Sequence, residues 1–356
     1  GNVTFWIADR FQWDALLVLS VAQYAVAVLL FVTVGRILVV AQTPALFILG
    51  LSPAFFILFW MASLPAAGRK EMLAYLALAL FCLGLMRGNP ASLIAGCLMF
   101  LVAVASHEAL VLFAPLFAVM IVLARPDWRA NRALYGGVFA TLLAAAGITV
   151  WAFLHANVAS AEAVCRPLLA RGFSESFCQG AIRSMQYTLQ DGINAVRNSH
   201  SWRAFQALGI GYAAALAPFI YVVWLSDNRR LALALALGPV VLFAPLYPIA
   251  MDHGRWMSFH IFASFILFAT AFAAGRITPV RPIGVKALCV LAIIALLAAK
   301  FYGLNWLDPF MGLVGAALVS RWSYGLIKDS ARVLLDRQAD DKTIAAIRKA
   351  LETDAG

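Results

Sequence analysis

The chain has 356 residues, of which 63% are hydrophobic and only 12% are charged, and its mean hydropathy is +0.88. A water-soluble domain carries roughly a quarter of charged residues, so this composition excludes an ordinary soluble domain. The formal net charge of +10 does not indicate a nucleic acid partner, because the basic residues lie in short segments between apolar runs and form no contiguous basic face. The composition predicts an all-α, polytopic integral membrane protein whose main partner is the lipid bilayer.

A helix needs about twenty predominantly apolar residues to cross a bilayer, and about eleven stretches of the chain approach that length. Pro44 and Pro53 interrupt the second stretch, which predicts a broken or re-entrant helix there. In the tail 328–356, apolar residues recur at helical spacing, which predicts an amphipathic cytoplasmic helix. The predicted spans are 14–34, 38–60, 71–87, 90–106, 108–124, 134–155, 205–225, 231–251, 256–275, 285–301 and 309–327.

Arginine and lysine residues cluster in every second gap between these spans. Cytoplasmic loops carry such an excess of positive charge, so we expect these gaps and the C-terminal tail to face the cytoplasm. Residues 1–13 and the long loop 156–204 are then expected to lie outside. The basic residues that define the cytoplasmic side are Arg36, Arg87, Arg125, Arg129, Arg132, Arg229, Arg230, Arg276, Arg281 and Lys286.

The five cysteines bear on this orientation. Cys82, Cys97 and Cys289 lie within predicted spans, where a thiol behaves as a small apolar side chain. Cys165 and Cys178 lie in the loop assigned to the outside, where a disulfide is favoured by an oxidising compartment. A disulfide and two free thiols both remain open at this point.

Ionisable residues collect at the predicted outer ends of the spans, in three groups. Such groups beside apolar segments usually face a bundle interior or a cavity, so we expect the three groups to form one site. Each group also has a structural interpretation, as an interfacial anchor, a polar turn or an intrahelical ion pair. The groups are Arg69, Lys70 and Glu71; His107 and Glu108; and Asp252, His253 and Arg255.

These residue types suit a phosphorylated substrate. Arg69, Lys70 and Arg255, with Glu71 and His253 beside them, are the candidates for substrate binding, because arginine and lysine hold phosphate groups. The candidates for catalysis are Glu108, His107 and Asp252, since carboxylates and histidines act as general bases toward a sugar hydroxyl. No zinc-type spacing, nucleotide-binding loop or dinucleotide-binding glycine pattern is present, so we expect neither a metal nor a cofactor.

Four short motifs of the chain are Leu51-Ser52-Pro53, Gly68-Arg69-Lys70-Glu71, Ser106-His107-Glu108 and Asp252-His253-Gly254-Arg255-Trp256. Together they resemble bacterial membrane proteins of the exopolysaccharide and O-antigen polymerase type, over residues of about 15–276. The resemblance implies an enzyme that joins oligosaccharide units carried on undecaprenyl pyrophosphate at the periplasmic face of the bacterial inner membrane. It implies that Arg69, Lys70 and Arg255 hold the pyrophosphate or the glycan, while Glu108, His107 and Asp252 assist transfer.

The C-terminal part resembles a different family. The segments 303–316, 321–326 and 333–336 resemble the last transmembrane helix of a cation diffusion facilitator, which implies efflux of zinc, cobalt or nickel as an alternative function. A tetrahedral site for such ions needs about four histidine, aspartate or cysteine ligands, and no span carries the one-turn pairs of histidine and aspartate that this family uses. We therefore divide the chain into a membrane domain 1–284, two C-terminal spans 285–327 and a tail 328–356.

This change of character near Val290 leaves a natural fusion and a composite of two fragments open, and an inactive composite is a further alternative. The chain begins with Gly1 and lacks a charged n-region, which favours a fragment or a processed product with a missing upstream segment.

Overall fold

The structure is a computed structural model, and it describes residues 2–11, 13, 15–50, 52, 70–124, 127, 129, 131–155, 161–171, 175–178, 182, 188–199, 202–249, 252–280 and 290. These residues all belong to one compact unit within Gly1–Gly303. The two C-terminal predicted spans and the tail lie outside the described residues, with the exception of Val290.

All regular elements in the described part of the chain are helices, joined at one point by an isolated antiparallel bridge between Ser226 and Pro279. Three short 3₁₀ helices accompany them, at Glu108–Phe113, Glu175–Cys178 and Ala244–Leu246. The α-helices are α1 Asn2–Phe11, α2 Ala15–Ala41, α3 Pro44–Gly50, α4 Glu71–Arg87, α5 Pro90–Ser106, α6 Ala114–Ala124, α7 Arg132–Leu154, α8 Ala161–Leu169, α9 Leu189–Ser199, α10 Trp202–Leu225, α11 Arg229–Leu237, α12 Val240–Phe243 and α13 His253–Ala273.

Five helical segments of the described residues are long and apolar enough to cross a membrane. Four of them carry large apolar side chains on their exposed surface, as lipid-facing helices do, whereas His253–Ala273 is mostly buried. Together the five segments indicate a helical membrane protein. Two shorter apolar segments, Pro90–Ser106 and Glu108–Ala124, accompany them, and the total of about eleven spans stays a prediction. The five segments are Leu17–Ala41, Arg132–Leu154, Leu208–Leu225, Arg229–Leu246 and His253–Ala273.

The second helix differs from its prediction. No helix boundary lies near residues 34–38, because α2 continues to Ala41, and Arg36 is an exposed residue within the helix and not part of a loop. The chain turns instead at Gln42, whose φ of 47° lies in the left-handed region. Pro44 then opens α3 at a position where a missing N–H is tolerated.

Helices α4 and α13 form the centre of the bundle and run parallel to each other. Tyr75 Oη lies 3.0 Å from Ser258 Oγ, and Cys82 Sγ lies 3.4 Å from Thr270 Oγ1. Both sequences are apolar almost all round, which is typical of helices buried on every side. Most residues of both helices are indeed buried, so the ends of α4 and α13 are fixed relative to one another.

A tight turn reverses the chain between α4 and α5. Gly88 adopts a φ of 62°, and the Asn89 side chain accepts hydrogen bonds from the backbone N–H groups of Ala91 and Ser92. Further along the pair, a Cβ on Gly96 would lie 2.8 Å from the backbone nitrogen of Phe81. The absence of a side chain at Gly96 therefore allows α5 to pack directly on the backbone of α4, as small residues do in membrane helices.

The span predicted at 231–251 corresponds to the candidate span Arg229–Leu246, whose helix is interrupted near its middle. Helix α11 ends at Leu237, and Gly238 and Pro239 separate it from α12. Near this break the carbonyl oxygen of Ala236 lies 2.6 Å from His260 Nε2 and 3.1 Å from Ser264 Oγ on α13. His260 and Ser264 therefore connect the central helix α13 to the C-terminal end of α11, next to the break.

The loop 156–204 contains two described helices, α8 and α9. Cys165 and Cys178 form a disulfide with a Cα separation of 5.6 Å. Arg171 connects this region to the first helix through an ion pair of 3.0 Å with Asp9. On α9, a Cβ at Gly192 would lie 2.5 Å from the carbonyl oxygen of Ile249, so the helix passes closely over the segment that precedes α13.

Candidate functional site

The predicted ionisable groups meet at one end of the bundle, which we call the polar end. It consists of Lys70, Glu71, His107, Glu108, Asp252, His253 and Arg255. Helix α4 begins there, α5 runs antiparallel to α4 and ends there, and α13 begins there in parallel with α4. Arg69 lies outside the described residues. The geometry thus brings together residues that are far apart in the sequence.

Arg255 is the centre of an ion network at the polar end. Its Nη1 lies 2.9 Å from Glu71 Oε1, and its Nη2 lies 2.7 Å from Asp252 Oδ2. The exposed fraction of the side chain rises along this network, from 3% for Glu71 to 17% for Arg255 and 51% for Asp252. Arg255 also lies beside the ring of Trp256, with Cζ 5.5 Å from the ring centroid. The network therefore extends from the buried bundle to its surface.

One donor of Arg255 is left over. Its Nε is buried and has no hydrogen-bond partner among the described residues. A buried donor without a partner lowers stability by about 1–3 kcal/mol. The two terminal nitrogens of the Arg255 guanidinium are therefore paired while its Nε reduces the net stabilisation.

Lys70 is the exposed cation of the polar end. It precedes the first turn of α4, and its Nζ donates a hydrogen bond of 3.0 Å to the carbonyl oxygen of Ser106. That carbonyl belongs to the last residue of α5, where helical carbonyl groups lack intrahelical partners. Lys70 therefore connects the beginning of α4 to the segment that carries His107 and Glu108.

His107 lies at the turn between α5 and the following 3₁₀ helix. Its Nδ1 accepts a hydrogen bond of 3.3 Å from the backbone N–H of Ala109, and Nδ1 lies 3.9 Å from Glu108 Oε2. Burial lowers the pKa of His107, Glu108 opposes that shift, and Lys70 adds to it. His107 therefore serves as a neutral cap of the 3₁₀ helix, while the Glu108 side chain is 66% exposed.

His253 points toward a different neighbour. Its Nε2 lies 3.0 Å from the carbonyl oxygen of Tyr247, and the two rings stack with centroids 5.5 Å apart. The ring thus packs against the segment between α12 and α13. The ion network joins Glu71, Arg255 and Asp252. The contact with the Ser106 carbonyl joins Lys70 to the end of α5.

Sequence reasoning missed a second polar cluster, below the polar end. His260 is fully buried, its Nε2 faces the Ala236 carbonyl, and its Nδ1 contacts the Tyr212 hydroxyl. The carbonyl requires Nε2 to carry the proton, so Nδ1 accepts from Tyr212. The spacing of His260 and Ser264, one turn apart in an apolar helix, was the available signal.

Among the described residues, no group of three or more histidine, cysteine, aspartate or glutamate side chains could hold a metal ion. Comparison with family models, with curated proteins and with solved structures found no match to this chain. The fold and the site thus define a class, a helical membrane protein with a partly buried ion network at one end of its bundle.

Proposed function

We propose that this protein is a glycan polymerase or related glycosyltransferase of the bacterial inner membrane. It joins sugar units carried on undecaprenyl pyrophosphate, and its polar end faces the periplasm. The observation that supports the proposal is that an exposed cation, Lys70, and two exposed carboxylates, Asp252 and Glu108, lie at the same end of the bundle as a partly buried ion network.

The chemistry assigned to the polar end is a displacement at a sugar carbon. The acceptor hydroxyl attacks the anomeric carbon of the donor, a C–O bond forms, and the bond from that carbon to the pyrophosphate oxygen breaks with its electron pair. Asp252 accepts the hydroxyl proton as general base, with Glu108 as the second carboxylate at the site. The undecaprenyl pyrophosphate leaves with additional negative charge, which Lys70 stabilises.

This proposal changes the roles expected for two residues. Both terminal nitrogens of Arg255 are engaged by carboxylates, so the proposal gives the contact with pyrophosphate to Lys70. The neutral, capping His107 supports the turn that carries Glu108. The alternative of cation efflux is based on residues 303–336, which lie outside the described part of the chain, and it stays a prediction of that resemblance.

The test is complementation of a strain that lacks the chromosomal gene, with polymer length read on a gel. We expect Lys70→Gln, Asp252→Asn and Glu108→Gln to shorten or abolish the polymer at equal amounts of membrane protein. Arg230→Gln is the matched control, because Arg230 is an exposed cation outside the polar end. Normal polymer length in all three variants would contradict the proposal.

A further inference from the structure

The burial of Glu71 is the starting point. This carboxylate is 3% exposed, although its neighbour Lys70 is exposed and contacts the end of α5. An ionised carboxylate in such a place is stable only with a close cationic partner, and Arg255 Nη1 at 2.9 Å is that partner. A substrate would reach Glu71 only after displacing Arg255, so direct contact with substrate is not the role this position suits.

We propose that Glu71 is a positioning residue, which acts on the reaction through Arg255 and Asp252. Its carboxylate holds one arm of the Arg255 guanidinium, and the other arm orients the carboxylate of Asp252 at the surface. This inference rests on the proposed function, in which Asp252 is the general base.

The planar geometry of the Arg255 guanidinium explains how Glu71 affects the orientation of Asp252. Arginine is planar and presents its N–H groups in a fixed fork, so the direction of Nη1 toward Glu71 determines the direction of Nη2 toward Asp252. Asp252 occupies the position before α13, and its Oδ2 lies 2.7 Å from Arg255 Nη2. The ion network therefore contributes to the orientation of this carboxylate.

Charge balance gives Glu71 a second effect. With the histidines left aside, the described residues of the polar end carry two positive formal charges, on Lys70 and Arg255, and three negative ones, on Glu71, Glu108 and Asp252. Replacement of Glu71 by glutamine removes one negative charge beside the proposed pyrophosphate site. We therefore expect donor binding to be kept or strengthened while transfer slows, because Asp252 is then held by a less constrained Arg255.

The protein offers a matched control in the same pair of helices. One turn further along α4, Tyr75 Oη contacts Ser258 Oγ at 3.0 Å, and both residues are buried. Tyr75→Phe removes a buried contact between α4 and α13 without changing any charge. Comparing Tyr75→Phe with Glu71→Gln therefore distinguishes the effect of weaker packing between α4 and α13 from the effect of losing the ion network.

The activity experiment uses membranes that contain the full chain and the undecaprenyl-pyrophosphate-linked repeat unit of the host as donor. For Glu71→Gln we expect about a tenfold lower maximal rate, with a half-saturating donor concentration that does not rise. Glu71→Asp should recover part of the rate, and Tyr75→Phe should keep most of it. Glu71→Gln should add little to Asp252→Asn, since both changes act through the same base.

The stability experiment needs no activity. In detergent, Glu71→Gln and Arg255→Gln should each lower Tm by roughly 5–15 °C, and the double variant should lose clearly less than the sum of the two shifts. Additive shifts would overturn the proposed link between Glu71 and Arg255.

The two proposals fail in different ways. If the unaltered protein forms no polymer, the proposed function fails. The Tm shifts of the single and double variants then still decide whether Glu71 and Arg255 interact. If the unaltered protein forms polymer and Glu71→Gln works at the normal rate, the positioning role is wrong while the proposed function stands. A rise in the half-saturating concentration with an unchanged maximal rate would also overturn the positioning role, since it would make Glu71 a substrate ligand.

Discussion

The two ends of the bundle carry similar types of side chain and use them differently. At the polar end, Arg255 is mostly buried and paired with Glu71 and Asp252. At the opposite end, which we call the basic end, all the described arginines except the partly buried Arg276 are exposed, and hydrogen bonds to backbone and hydroxyl groups connect the helices. The basic end consists of Arg87, Arg129, Arg132, Asp227, Arg229, Arg230, Arg276 and Thr278.

Asp227 and Arg276 show how the basic end is connected. Asp227 accepts hydrogen bonds from the N–H and the hydroxyl of Thr278, at 2.9 and 2.7 Å, and so ties the end of α10 to the segment after α13. Arg276 Nε donates to the carbonyl oxygen of Leu123 at the end of α6. The Asp227 contact lies in water and the Arg276 contact is partly buried, whereas the ion pair between Glu71 and Arg255 at the polar end is mostly buried. The same residue type therefore has different energetic consequences at the two ends.

The largest expected difference comes from reversing one charge at each end. Arg255→Glu adds a third carboxylate to those of Glu71 and Asp252 and leaves the buried Glu71 without its cationic partner. We expect the free energy of unfolding to fall by at least about 3–5 kcal/mol, which is much of the stability of a typical domain. We expect little folded protein in detergent extracts. Arg230→Glu should yield normal amounts, and equal yields of the two variants in size-exclusion chromatography would refute the contrast.

A smaller loss is expected one turn below the polar end. Ser258→Ala removes a hydrogen bond to the buried Tyr75 hydroxyl, and we expect a free energy of unfolding lower by about 1–3 kcal/mol. The measurement is denaturant unfolding in mixed micelles. Ser106→Ala is a suitable comparison, since the Ser106 hydroxyl bonds only to the carbonyl of Ala103 in its own helix, and a larger effect there would be the unexpected result.

At the basic end, Asp227 predicts a pH dependence of stability. The hydrogen bond from the Thr278 N–H lowers the pKa of Asp227, and the Thr278 hydroxyl and the Asn228 N–H contribute in the same direction. Because its pKa is lowered in the folded state, Asp227 stabilises the protein fully at a pH above its pKa in the unfolded chain, about 3.9. This contribution to the free energy of unfolding is lost as the pH falls through the pKa of Asp227 in the folded protein.

Asp227→Asn should therefore lower Tm near neutral pH, with a difference of roughly 1 kcal/mol that shrinks in acid. Thermal scans of the variant and the unaltered protein between about pH 6 and 3 measure this difference. A difference that grows toward low pH would have the wrong sign.

The smallest effect is expected from the exposed cations of the basic end. Arg229→Gln and Arg230→Gln, singly or together, should change the free energy of unfolding by less than about 0.5 kcal/mol each. Chemical denaturation provides the value. A loss comparable to that of Ser258→Ala would mean that these arginines contribute to the packing of the bundle after all.

Local signals predicted part of the fold well. The helices expected at 71–87 and 90–106 have those bounds, because Gly88, Asn89 and Pro90 provide a left-handed turn, an N-cap and a first helical residue in succession. Arg36 misled the prediction of α2, since one cation on an exposed helix face does not end a helix. The apolar run at 231–251 was predicted as a span and overlaps the candidate span Arg229–Leu246, but the interruption of its helix at Gly238 and Pro239 was not predicted.

The candidate site was predictable as a region and not as a set of contacts. Apolar runs interrupted by ionisable residues placed Lys70, His107 and Asp252 at the same end of the bundle. The partner of Arg255 was not predictable, because Glu71 lies in another helix and the contact depends on how α4 and α13 pack. His260 was missed although its one-turn spacing from Ser264 was a signal, because its partner is a backbone carbonyl of another helix, and the sequence does not indicate which carbonyl that is.

The parallel course of α4 and α13 has a topological consequence. A chain that leaves α4 at Arg87 and enters α13 at His253 in the same direction must traverse the bundle an odd number of times in between. We therefore expect two-sided labelling of a protein in which both helices cross the membrane to find the turn at Gly88 on the opposite side from Asp252, and on the same side as Gly275. This parity holds however many segments of the remaining chain cross the membrane.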